Sequence, residues 1–65
     1  MKITYRDFQG MEDTMEFKDV AEFIMLEQRE VPPLEDNFAI LSLEIDGQKQ
    51  DFKGSVIDLF NQLNA

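Results

Sequence analysis

Carboxylates are the reactive groups this sequence holds in excess, with 14 Asp and Glu against 6 Lys and Arg. Glu12-Asp13, Glu27 with Glu30 one helical turn later, and Glu35-Asp36 are oxygen donors of the kind a hard cation such as Ca²⁺ or Mg²⁺ takes. None of them has the spaced ligand pattern of an EF-hand loop, so a solvated acidic surface is the simpler reading. A pair of carboxylates working as acid and base needs a cleft and shifted pKa values, and a domain this small has little room for either. Ser55 and Thr14 become nucleophiles only beside an activating base. The chain has no histidine, cysteine or tryptophan, which removes the usual base near neutral pH, thiol chemistry, and the nitrogen and sulfur ligands of zinc. Ser55 therefore reads as a helix cap, and Tyr5 as a core aromatic with its hydroxyl at the edge. Gly10, Gly47 and Gly54 lie far apart, so neither a P-loop nor a dinucleotide fingerprint is present. The expectation is a protein without catalytic activity, cofactor or metal.

The elements behind these residues come as two similar units in one domain spanning residues 1–65. Residues 2–7 alternate with Ile3 and Tyr5 on one face, a turn follows at Gln9-Gly10 with Phe8 and Met11 beside it, and a second strand near 12–17 turns Met15 and Phe17 inward. Asp19 caps a helix with Glu22 three residues later, and Val20, Phe23 and Ile24 form its stripe. Met25 and Leu26 fall on opposite flanks of that stripe. Pro32-Pro33 ends the helix by about Glu30.

After a connector over 31–37, Phe38 to Ile45 predicts the strongest strand, with Ala39, Leu41, Leu43 and Ile45 on the core face and Phe38 and Ile40 on the outer one. Asp46-Gly47 suits a type I′ turn, which sets Ile45 opposite Gln48, Leu43 opposite Gln50 and Leu41 opposite Phe52. Ser55 caps the last helix, whose stripe is Val56, Leu59, Phe60 and Leu63. The result is an α+β fold of order ββαββα: a four-stranded antiparallel sheet with two helices packed on one face. The units at 2–30 and 38–64 match at about six positions if Gly54 is extra. That fits an internal ββα pseudo-repeat, by duplication or by convergence.

Sixty-five residues bury only about 60% of the surface of the unfolded chain, and without cysteine there is no disulfide to staple the fold. Regular packing or self-association must supply what is missing. The formal charge of −8 repels nucleic-acid phosphates and anionic membranes, and no apolar run approaches the ~20 residues that span a bilayer. A cytoplasmic location is the default. The expected partner is another protein, or a second copy in a homodimer, with no direct nucleic-acid or membrane binding. Phe38 and Ile40 on the outer sheet face, and Met25 or Leu26 on the first helix, are the candidate interaction surface; the equal alternative for Phe38 and Ile40 is that they tuck under the Pro32-Pro33 connector or against Phe8 and Met11. The alternative is an acidic inhibitor or regulator whose carboxylates mimic nucleic-acid phosphates.

The run Ile3-Thr4-Tyr5, a helix opening after Phe17, and then Pro33, Leu43, Gly47, Gly54 and Leu59 resemble a family of short uncharacterised proteins from streptococci and related lactic-acid bacteria, a domain of unknown function. The resemblance covers nearly the whole chain through core and turn positions. It implies a bacterial cytoplasmic protein with no assigned activity, and it brings no site residue with it.

Overall fold

Two hairpins, each followed by a helix, build the chain in the computed structural model, which describes residues 1–65. β1 (Lys2–Arg6) and β2 (Glu12–Glu16) lead into α1 (Val20–Glu27); β3 (Ala39–Ile45), β4 (Gln48–Gln50) and the short β5 (Gly54–Ser55) lead into α2 (Val56–Leu63). The antiparallel sheet has the order β2-β1-β3-β4, and β5 pairs with β3 beyond the end of β4. Both helices join the inward side chains of the sheet in one core of Ile3, Phe17, Phe23, Leu34, Ile40, Leu43, Val56 and Leu59.

The sequence places the caps where the structure has them. The Asp19 carboxylate accepts from the Glu22 amide, while the Glu22 carboxylate reaches back to the amide of Lys18, one residue before the cap. Ser55 and Asp58 form a reciprocal capping box on α2. Asp46 and Gly47 both have positive φ (53° and 77°), as the tight β3–β4 turn requires. The first helix stops at Glu27, three residues before the proline argument ends it.

The largest departure lies in β3. Ile3 faces Leu43 and Thr4 faces Ser42, but Tyr5 then faces Ile40, so Leu41 is one residue too many for β1. Such a bulge reverses the in-out phase of everything beyond it. Leu43 stays inward, Ile40 turns into the core at 6% exposure, and Ala39 and Leu41 are exposed. The outward placement of Phe38 and Ile40 is thereby corrected. The pattern could not reveal it, because both phases of this segment carry large apolar side chains.

β4 pairs as the turn dictates at Ile45–Gln48 and Leu43–Gln50, and pairing then breaks. Leu41 has no partner at Phe52. Phe52 is half-buried against the core from the link between β4 and β5, and pairing resumes one residue out of step at Ile40–Gly54. Gly54 makes that step with φ of 143°, where a Cβ would meet Asp58 Oδ2 at 2.8 Å.

Leu34, in the segment the sequence reads as a mere connector, is fully buried. Its neighbours meet the start of α2: the amides of Val56 and Ile57 donate to the carbonyls of Phe38 (3.0 Å) and Asp36 (2.9 Å). With the capping box on Ser55 and Asp58, the open amides of the first turn of α2 all have acceptors.

The reversed phase has a direct measure in stability. Ile40→Ala should cost about 2–5 kcal/mol, as cavity-forming truncations do, whereas Leu41→Ala should cost less than about 1 kcal/mol. Urea unfolding followed by circular dichroism reads both; an equal cost would contradict the change of phase, and an inverted one would put Leu41, and not Ile40, in the core.

Candidate functional site

Of the acidic residues singled out in the sequence, Glu12, Asp13 and Glu27 are put to structural use. Glu12 bonds Arg6 at 3.0 Å, and Glu16 lies 3.5 Å from Lys2, so the outer face of the first hairpin carries alternating signs. Thr4 and Thr14 join between these pairs through their hydroxyls at 3.0 Å. The Asp13 carboxylate accepts from the amide of Thr14 at 2.8 Å. Ser55 Oγ is engaged with Asp58, both as donor and as acceptor. No three carboxylates come together as a group able to hold a metal ion. The depression of about 200 Å³ between Met1, Lys2, Glu16, Phe17, Glu44 and Gly47 is open and has no convergent catalytic set.

Of the four residues proposed as an interaction surface, Ile40 belongs to the core, and Leu26 and Phe38 are half-buried against it. Met25 remains 56% exposed on α1. They do not make one apolar face on the outer side of the sheet, because the bulge sends two of them inward.

A different apolar group assembles at the tip of the first hairpin. Tyr5 and Phe38 stack almost parallel, 3° apart with centroids at 5.5 Å, and Phe8 meets Phe38 edge-on at 4.9 Å. Phe8 is nevertheless 69% exposed, and Met11 is 63% exposed. Asp7 holds the turn that carries them. Its carboxylate accepts from the amides of Gln9 and Met11 at 2.9 Å each, and its own amide donates to the Met11 carbonyl at 2.9 Å. Gly10 closes the turn with φ of 82°. Phe8 and Met11 are thus displayed on a braced turn with acids on both sides in sequence: Asp7 before Phe8, and Glu12 and Asp13 after Met11. The signal in the sequence was the pair of large apolar residues flanking a glycine turn, a place where polar residues are usual.

A second unusual group is Glu27, at the end of α1. Its Oε1 accepts from the Leu34 amide at 3.2 Å, while Oε2 is buried with no partner. Burial raises its pKa to about 7 against the Leu34 hydrogen bond, which lowers it, and the charges of Asp36 and Glu35 push it further up. Asp58 is displaced the other way, held low by its hydrogen bonds from the amide and hydroxyl of Ser55.

A family described as a domain of unknown function, DUF4649, matches residues 1–65. The chain belongs to this family. A crystal structure of a conserved domain protein from Streptococcus pneumoniae TIGR4 is similar to this DUF4649 chain, with a TM-score of 0.81 at 27% identity. The likeness covers 97% of this chain and 86% of that one. No curated protein matches this DUF4649 chain. The family and the streptococcal neighbour agree with the resemblance seen in the core and turn positions, and neither assigns an activity.

Glu27 sets a pH dependence with a definite sign. Its folded pKa of about 7 lies above the ordinary 4.5, so between these values the folded chain retains a proton that the unfolded chain releases. This contribution is complete below 4.5 and is lost as the pH rises through 7. The urea midpoint should therefore fall from about pH 5.5 to about pH 8. Glu27→Gln keeps an acceptor for Leu34 while removing the charge, and should flatten that fall and be the more stable form at the alkaline end. A wild-type midpoint that is level over this range would show that Glu27 is ionised at no cost.

Proposed function

We propose that the chain is a small, non-catalytic, acidic interaction module of the cytoplasm that docks another protein through Phe8, Met11 and the exposed edge of Phe38. The observation that carries this reading is Phe8, a phenylalanine 69% exposed on a turn braced by Asp7. Aromatic side chains held rigidly at low entropic cost are the usual anchors of a protein interface. The absence of any helix long and apolar enough to cross a membrane is consistent with it.

Charge selects the kind of partner. A net charge of −8 makes two copies repel one another, so a basic segment carrying an apolar anchor is favoured over a homodimer. Mimicry of nucleic-acid phosphates fits less well, because Arg6 and Lys2 offset Glu12 and Glu16 on the outer face of the hairpin.

A short amphipathic Lys–Leu peptide serves as the probe, followed by NMR titration. Shifts should move first at Phe8 and Met11, and the double variant Phe8→Ser/Met11→Ser should weaken binding by about tenfold or more while the fold is retained. Unchanged affinity in a folded double variant would dismiss the hairpin tip as the docking surface.

A further inference from the structure

The sheet has one long open edge, and its hydrogen-bonding pattern can be read residue by residue. Met1 and Phe17 exchange two hydrogen bonds, of 2.7 and 2.8 Å, and at the other end of the hairpin the Asp7 amide donates to the Met11 carbonyl. The bonded pairs of an antiparallel ladder recur at every second residue, so Ile3–Met15 and Tyr5–Asp13 are bonded pairs as well. The amides and carbonyls of Glu12, Thr14 and Glu16 therefore face away from β1. Since β2 pairs with no other strand, they form the free edge. The opposite side of the sheet offers no comparable run, because β4 is three residues long and β5 continues along β3 in its place.

The middle donor of this edge is covered from within. Asp13 turns its carboxylate onto the Thr14 amide at 2.8 Å, at the point where an added strand would bond. A neutral or acidic strand must break that contact and offers the carboxylate no new partner in exchange. A strand with Lys or Arg beside Asp13 gives the carboxylate a new partner and releases the amide for pairing. Natural sheets blunt their edges with charges of this kind, and here the blocking charge is also one that a cation can draw aside. Apolar side chains of an added strand would find Met15, half-buried, and Met11, exposed, along the inward side of β2.

We propose that the β2 edge is a charge-gated strand-addition site, with Asp13 as its gate and an extended basic segment of another protein as its occupant. A second copy of this chain is refused, because its own β2 presents Glu12, Asp13 and Glu16 and not cations. This surface shares only Met11 with the hairpin tip, and it stands whether or not that tip binds.

The test uses the full chain carrying Phe8→Ser, which removes the aromatic anchor of the hairpin tip, with two short probes: an alternating Lys–Thr peptide and its Glu–Thr counterpart. Amide exchange by NMR should show the Lys–Thr peptide protecting Glu12, Thr14 and Glu16 and leaving β4 unchanged, while the Glu–Thr peptide protects none of them. Asp13→Asn keeps an acceptor for the Thr14 amide but removes the charge, and should weaken the Lys–Thr peptide by about twofold to fivefold, the worth of an exposed ion pair. Asp13→Ala opens the gate, and should admit the Glu–Thr peptide and give a mass that rises with concentration in sedimentation. Protection elsewhere than on β2, or an Asp13→Ala chain that excludes the Glu–Thr peptide as the wild type does, would overturn the proposal.

Discussion

The extra residue in β3 is the constraint on which the other features rest. Above it, Leu43 packs beside Ile3; below it, the strand has changed phase, and Ile40 and then Phe38 turn inward. A continuous ladder would have offered the core Leu41 and Ala39 in place of Ile40 and Phe38, a poor exchange of apolar surface for a core of eight buried residues. The inward turn of Phe38 also sets its ring against Tyr5 and its carbonyl against the first amide of α2. One backbone irregularity thus couples the packing of the sheet to the start of the last helix and to the support beneath Phe8.

The segment between the helices works as a joint. Leu34 enters the core from it as completely as any residue of a helix or strand, its amide is held by Glu27 at the end of α1, and its neighbours supply carbonyls to α2. A small domain has little apolar surface to spare, and here a loop side chain contributes on the scale of a strand residue. The buried oxygen of Glu27 is the cost of that arrangement: the carboxylate is bonded on one side and unsolvated on the other.

Local chemistry was legible in the sequence wherever it decides the outcome by itself. The order of strands and helices along the chain, the caps at Asp19 and Ser55 and the positive φ at Asp46-Gly47 each follow from one or two residues and their neighbours, whereas the step at Gly54 runs against the Leu41–Phe52 pairing that the turn alone implies. The phase of β3 was not legible, because Phe38, Ala39, Ile40 and Leu41 are apolar in either register and only the pairing with β1 chooses between them. Leu34 was missed because a single apolar residue after two prolines has no periodicity. The candidate site inherited the first gap, which put Phe38 and Ile40 on the wrong face; the display of Phe8 and Met11 was hidden for another reason, since the bracing by Asp7 is a matter of turn geometry.

The strand order β2-β1-β3-β4 carries a consequence for the path by which the chain folds. Each hairpin can close over a short turn, but the central ladder joins residues 2–6 to residues 39–44, across the whole of β2 and α1. Contacts so remote in sequence are reached only after a large loss of chain entropy, which places such topologies among the slower folders for their length. The core is divided in the same way, with Ile3, Phe17 and Phe23 in the first half and Ile40, Leu43, Val56 and Leu59 in the second. Neither half encloses a core of its own, so the two units, alike as they are in order, gain their stability together and in a single step.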